Sequence, residues 1–490
     1  MDLQHPRRVF EHESASGFGF NARITQSLGF VGRRKYGRTI ALKVRENSLD
    51  SWRGKEEQSL GKKMNQRQST NIHWSFMEHE RNNFLNNENI KKKWIKRQAS
   101  ETRDKPAKII QDNIISIPEE IHPYIPSPNA LRRTISRVRK SEMPPQPQNI
   151  TEINIPESLC HTLHGNIFLV KDYMVGQERI LLFTTRENIQ HLANALFWIM
   201  DGTFKTVPTI FHQMYTIHAP VGAEDNSRIL PLVYALMTRK SEVLYRWLFE
   251  NLIEFAEDND IELKPQSIIT DFELAAINVS RSKFPDTNNK GCFFHLCQNG
   301  WRQIQRCGLA IQYGNDEHFS IMVRHLFALA FLPSQEIPAA FNILKPQMPQ
   351  EANDLVQWFE DNYVLGRIRR EMRNGHVVRS ALPFPPQLWS VYDSIQLGIP
   401  RTQNVVEAWH RRWEVLVGES HVGLFTIINE IQREQQQVEL QIECIIRGEQ
   451  RKKQKKVWIE RENRIMSIIN ERSNRSLMEF LRGIAHNLSF

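Results

Sequence analysis

Between Ile167 and Arg306 the sequence runs through a succession of short elements that most restricts the fold open to this chain. Ile167–Val170 and Ile180–Thr184 read as strands, and a short helix follows around Glu187–Ala195. Three apolar or β-rich runs come next, Leu196–Met200, Gln213–His218 and Ile229–Met237, separated by turn-like stretches, which predicts an antiparallel meander. The segment from Ser241 to about Asp258 carries Leu244, Leu248, Leu252 and Phe255 at helical spacing. Ser267–Thr270 then reads as a strand, Glu273–Phe284 as a helix, Gly291–Phe294 as a strand and Leu296–Arg306 as a helix. The order β-β-β-α-β-α-β-α predicts an α/β fold, a mixed sheet with a parallel half flanked by helices.

Around this core the text changes character. Residues 1–100 are rich in Arg, Lys, Asn, Gln and Ser, with a helix expected from about Phe76 to Arg97 and little order elsewhere. Residues 101–145 add a basic helical segment and a Pro-rich linker, Met143-Pro144-Pro145-Gln146-Pro147. The core is expected over 146–308, a helical stretch without strands over 309–400, a further helix over 401–424, and a charged helical tail over 425–490.

Charge is distributed unevenly. Residues 1–150 hold 28 Lys and Arg against 16 Asp and Glu, whereas the remainder holds 36 against 39. That asymmetry points to a polyanionic partner, with DNA the foremost candidate, although a solvated arm has the same composition. Lys91, Lys92 and Lys93, and Arg132 and Arg133 on a helix whose other face carries Leu131, Ile135 and Val138, are the candidate DNA contacts. The run Lys91–Arg97 and the cluster Arg451–Lys456 also suit nuclear localisation signals. No stretch of about 18 uncharged apolar residues occurs, so no membrane partner is expected, and the opening MDLQHPRRVFEHES lacks the apolar core of a secretory signal. Five cysteines in 490 residues, an odd and sparse set, argue against a disulfide framework.

Three carboxylates stand at informative places. Asp201 closes the run Phe197-Trp198-Ile199-Met200, Asp271 follows Ile268-Ile269-Thr270, and Glu407 lies in Asn404-Val405-Val406-Glu407-Ala408-Trp409-His410. Taken singly, each also fits a structural role. Asp201-Gly202 suits a hairpin turn, Thr270 with Glu273 a capping box, and Asn404 with Glu407 another helix start. Val406, Trp409, Trp413 and Leu416 give the last helix an apolar face. Taken together, two Asp at the ends of adjacent core strands and a Glu on a helix against the same sheet converge. Carboxylates gathered without Lys or Arg nearby repel one another unless cations neutralise them. Mg²⁺ or Mn²⁺ suits such oxygen donors, and two ions about 4 Å apart promote phosphodiester chemistry.

At these residues the chain resembles the transposases of Mutator-like elements, a DDE family with a ribonuclease-H-like fold. The resemblance extends from about Thr151 to Leu424. It rests on Phe197–Phe204, Ile269–Ala276, Cys292-Phe293-Phe294-His295-Leu296 and Asn404–His410, four blocks in the family's order. It implies that Asp201, Asp271 and Glu407 are catalytic and bind two Mg²⁺ or Mn²⁺ ions, and that residues 309–400 are the helical insertion preceding the Glu-bearing helix. It further implies cleavage and strand transfer on DNA, action in the nucleus, and assembly as a homo-oligomer on DNA. Cys292 is expected to be buried in its strand, with His295 at the strand's end near the site, contacting DNA or a carboxylate. Cys292, His295 and Cys297 lack a second pair at zinc-finger spacing, so no structural zinc is expected. Relatives often carry an N-terminal zinc module, yet residues 1–100 contain no cysteine. That departure keeps open a domesticated, DNA-binding derivative without transposition, and the shared fold keeps open a nuclease acting on RNA–DNA hybrids.

Overall fold

The computed structural model describes residues 93–102, 104, 106–115, 125–141, 144–223, 226–373, 376–451 and 455–488. Lys91, Lys92, nearly all of the basic N-terminal region and much of the cluster Arg451–Lys456 lie outside them. The chain divides into two compact units, broken between Pro144 and Pro145.

The described part of the smaller unit consists of three helices, α1 (residues 93–101), α2 (Pro106–Ile115) and α3 (Pro128–Ser141). Their apolar stripes meet in one cluster of Ile95, Ala99, Ile109, Ile110, Leu131 and Ile135, with Val138 partly buried against it. Burying that stripe leaves Lys93, Arg132 and Arg133 exposed, as expected for a basic amphipathic helix packed on its apolar side.

The larger unit is built on a seven-stranded mixed sheet. In chain order its elements begin with β1 (Leu169–Val175), β2 (Glu178–Phe183), α4 (Arg186–Asn194), β3 (Phe197–Thr203), β4 (Gln213–Val221) and β5 (Arg228–Met237). There follow α5 (Glu242–Glu257), β6 (Ser267–Thr270), α6 (Leu274–Lys283), β7 (Asn288–Gly291) and α7 (Phe293–Arg306). The spatial order is β1-β2-β5-β4-β3-β6-β7. β3, β4 and β5 form the expected antiparallel meander, while β3–β6 and β6–β7 pair in parallel. This arrangement is the mixed sheet flanked by helices read from the element order, and it is compatible with the ribonuclease-H-like fold that the resemblance implies. Alternation along β3 sends Trp198 and Met200 into the core shared with Leu244, Leu248 and Leu252 of α5. Phe197 and Ile199 face the other way, into a cluster with Ile269, Cys292, Ile399 and Val406.

After the core come α8 (Glu317–Ala328), α9 (Ile337–Leu344) and α10 (Asn353–Phe359), then α11 (Asn404–Val417), α12 (Leu424–Ile446), α13 (Lys456–Asn470) and α14 (Leu477–Asn487). Among the described residues no helix is long and apolar enough to cross a membrane.

Several local expectations change. Gly291–Phe294 is not a strand, because β7 stops at Gly291 and Phe293 already belongs to α7. The stretch 309–400 is mainly helical but includes a two-stranded ribbon, β8 (Ile368–Glu371) paired with β9 (Val377–Arg379). Their burial is shallow on both sides, so no apolar alternation marked them in the sequence. The final helices are no detached tail. α14 packs against α8, and Ile465, Ile469, Phe480, Leu481 and Ile484 join one core with Phe327, Phe331 and Phe341. Leu416, expected on the buried face of α11, is exposed.

Candidate metal centre

Register brings the two aspartates together. The parallel ladder pairs Phe197 with Ser267, Trp198 with Ile268 and Ile199 with Ile269. The same offset of 70 residues aligns Asp201 with Asp271, two positions beyond the last pair on each strand. Both therefore follow the pleat of Ile199 and Ile269, onto the face where Val406 of α11 packs. Glu407 is the next residue of that helix. Asp201 is not in a turn: Asp201 and Gly202 continue β3, opposite Thr216 and Tyr215 of β4. A Cβ on Gly202 would stand 2.7 Å from Gln213 Oε1, so a larger residue would have to displace that buried side chain.

The capping roles are also absent. α6 starts at Leu274 after Glu273, with no side-chain cap, and Thr270 Oγ1 donates to the carbonyl of Asp271. The Glu273 N–H instead donates to Asp271 Oδ1 at 3.3 Å, and its carboxylate accepts from Lys240 Nζ (2.5 Å) and Tyr245 OH (2.9 Å). Asn404 is the first helical residue of α11 and Gln403 its cap residue, again without a side-chain cap.

Asp201, Asp271 and Glu407 line one cavity of about 800 Å³, together with His295, His410, Lys240, Phe204 and Glu273. Ligand atoms of Asp201, His295 and Glu407 lie within 4.8 Å of one another; Asp271 lines the cavity without entering that cluster. His295 Nε2 is 3.7 Å from Glu407 Oε1, and His410 Nδ1 is 3.7 Å from Asp201 Oδ2. His295 thus sits beside a carboxylate as expected, but in the first turn of α7 rather than at a strand end. Cys292 is buried as expected and precedes that helix as its cap residue. All five cysteines are free thiols.

Electrostatics penalise the ionised form of all three carboxylates. Burial, with the charges of Asp271 and Glu407 added, holds the Asp201 carboxyl well above the usual range, against the Gly202 N–H and Lys240. Burial likewise raises Asp271, opposed by Lys240, and raises Glu407, opposed by Arg411. Burial lowers His295 and His410 to about 4, so both imidazoles are neutral near pH 7. The expectation of no nearby Lys or Arg is thus corrected: Lys205, Lys240, Arg302 and Arg411 line the cavity. Lys240 is engaged by Glu273 and lies 4.4 Å from the Phe204 ring centroid, and the three carboxylates keep their raised affinity for protons.

Two buried imidazole nitrogens, His295 Nδ1 and His410 Nε2, have no hydrogen-bond partner. Carboxylate oxygens with imidazole nitrogens in a half-enclosed cavity form a donor set that suits a divalent cation. Asp201, Glu407 and His295 would hold it, with Asp271 on the adjoining wall.

α11 is held firmly. Trp409 Nε1 donates to the buried Glu434 of α12 at 2.7 Å, Trp413 Nε1 donates to Thr206 Oγ1 at 3.0 Å, and the two indoles stack. Arg412 also pairs with Glu434. Sequence reading missed His410, Gln403 and Glu434. His410 had a signal, since it follows Glu407 by three residues and shares its helix face; the other two had none.

A mixed sheet of this topology with acidic groups at adjoining strand ends defines the class of ribonuclease-H-like proteins. Within it, residues 197–299 match the family model of the MULE transposase domain, and over that stretch the chain is similar to Mutator-like transposases. The matched stretch contains Asp201, Asp271, Cys292 and His295, while Glu407 lies beyond it. No curated protein matches the chain.

Proposed function

We propose that this chain is a DDE-type transposase that cleaves DNA and transfers the cut strand with divalent metal, acting in the nucleus. The observation that carries the reading is the single cavity lined by Asp201, Asp271, Glu407 and His295, in which ligand atoms of Asp201, Glu407 and His295 lie within 4.8 Å of one another. The similarity of residues 197–299 to the MULE transposase domain supports a transposase-family role and, with it, DNA as substrate.

Asp201 and Glu407, with His295 beside them and Asp271 across the cavity, supply the negative charge that draws in Mg²⁺ or Mn²⁺. Held by these residues, divalent ions would supply Lewis-acid activation of the attacking water or hydroxyl and charge stabilisation at the leaving oxygen. The protein's own groups orient the strand. Lys205, Arg302 and Arg411 stand exposed around the cavity, where they meet phosphates. In the first step water attacks the phosphodiester and the bond to the 3′-oxygen breaks, freeing a 3′-hydroxyl. In the second that hydroxyl attacks a target phosphodiester and displaces its 3′-oxygen, so one P–O bond forms for each broken. The exposed Lys93, Arg132 and Arg133 add sequence-independent phosphate contacts in the smaller unit.

Incubating the full chain with Mn²⁺ and duplex DNA from the flanks of its gene is expected to yield 3′-hydroxyl ends, and Asp201→Asn to abolish them. Cleavage that persists without metal or in Asp201→Asn overturns the reading. Preferential cleavage of RNA–DNA hybrid would instead favour a nuclease, and metal and DNA binding without cleavage a domesticated derivative.

A further inference from the structure

We infer that Gln403 is a positioning residue, a latch whose single amide sets the spacing of the metal-binding carboxylates; the inference rests on the metal-centre reading above. The β3–β6 ladder ends at Ile199 and Ile269, so within that ladder nothing ties Asp201 to Asp271. Gln403 is fully buried at this point, and its Nε2 donates to the carbonyls of Met200 (3.1 Å) and Ile269 (3.2 Å). Met200 immediately precedes Asp201, and Ile269 lies two residues before Asp271. Both partners only accept, so the amide nitrogen is the end that must face them.

The same residue reaches the other two donors. Its backbone N–H donates to Cys292 Sγ at 3.3 Å, at the start of the helix that carries His295. Its carbonyl accepts from the Glu407 N–H at 2.9 Å, the first turn of α11. Alongside, the Phe293 N–H donates to the Arg401 carbonyl at 3.0 Å. One residue therefore touches the segments bearing Asp201, Asp271, His295 and Glu407, its side chain the first two and its backbone the others, and among the described residues nothing else bridges the two strands beyond their ladder. Glutamine fits because its amide has two N–H groups for two carbonyls, on a stem long enough to reach the sheet from the helix start.

The test uses the full chain and Mn²⁺ alone as the probe, titrated calorimetrically well below the unfolding midpoint. Gln403→Leu removes the donors at similar volume; Gln403→Asn keeps an amide one methylene too short to reach both carbonyls. Each is expected to raise the Mn²⁺ dissociation constant about tenfold, as removal of supporting contacts around a metal site does. Cleavage is expected to slow by about 100-fold with DNA affinity unchanged, as for groups displaced by about 1 Å. Gln435→Leu is the comparison, because it removes a buried amide on α12, bonded to Asn188 of α4 and outside the cavity, and is expected to lower stability without altering Mn²⁺ affinity. The latch is overturned if either folded Gln403 variant binds Mn²⁺ like the parent, or if Gln435→Leu weakens binding equally. A parent that binds Mn²⁺ without cutting DNA sinks the transposase reading but leaves the latch to be decided on metal affinity; a parent that binds no Mn²⁺ sinks the metal centre itself.

Discussion

Asp201 exposes only 5% of its surface and feels the charges of Asp271 and Glu407, so its ionised form is a strain on the folded chain. Its pKa is raised, so the folded state binds a proton that the unfolded state has released. Its contribution to stability is therefore fully present below the ordinary Asp range and lost as pH rises through the raised value. Asp201→Asn is expected to unfold at higher temperature than the metal-free parent at pH 8. The gain is about 1.4 kcal/mol per pKa unit of the shift, and it should vanish as pH falls toward 4; melting curves across that range measure it. Mn²⁺ should stabilise the parent increasingly as pH rises and leave Asp201→Asn unmoved. The neighbouring Gly202 makes a different prediction. Gly202→Ala would drive a methyl onto Gln213, with an expected loss of roughly 1–3 kcal/mol from overpacking, read by chemical denaturation. Phe272 imposes the same restriction across the site, because a Cβ on Gly291 would stand 2.6 Å from its ring.

At the scale of elements, α11 decides whether the third carboxylate arrives. It is tied at its first turn by Gln403 and further along by Trp409, Arg412 and Trp413. Glu434→Ala would leave the Trp409 N–H buried without an acceptor, at an expected loss of about 1–3 kcal/mol and with weakened Mn²⁺ binding, measurable by thermal unfolding with and without the ion. The helix and the strand carrying Asp201 were legible in the sequence because apolar periodicity and strand length are local properties. The approach of Asp201 and Asp271 to one cavity was legible only as an inference from element order. Strand β8–β9 was hidden, since a ribbon without a buried face has no alternation to display. The start of α7 was misjudged because Cys292-Phe293-Phe294, an apolar trio, suits a strand as well as a buried first turn. Gln403 and Glu434 were illegible for a deeper reason: each takes its role from groups tens or hundreds of residues away. On α3 the reverse holds, and its basic face followed directly from spacing. Arg132→Gln and Arg133→Gln are each expected to weaken DNA binding and to reduce the salt dependence of affinity by about one charge, measured by titration at several salt concentrations.

At the scale of the whole molecule, the helices after the sheet close on one another. α13 and α14 complete a core with α8 and α9, so the charged C-terminal stretch is structural. Removing residues 455–490 is expected to expose Phe327, Phe331 and their neighbours, giving dye binding and aggregation rather than a shorter stable protein. The seven-stranded sheet and both aspartates, by contrast, lie within a segment that is finished at Gly291, 116 residues before Glu407. That separation has a consequence during synthesis. A nascent chain emerging from the ribosome folds N-terminal parts first, and until Gln403 and α11 emerge it holds two aspartates with neither their third partner nor the amide that spaces them. Prematurely terminated products ending before Thr402 would inherit the same deficit. The distance between the second and third carboxylates thus acts as a check on synthesis: on the proposed reading, a translation product becomes able to gather a metal only once the chain has been made through Glu407.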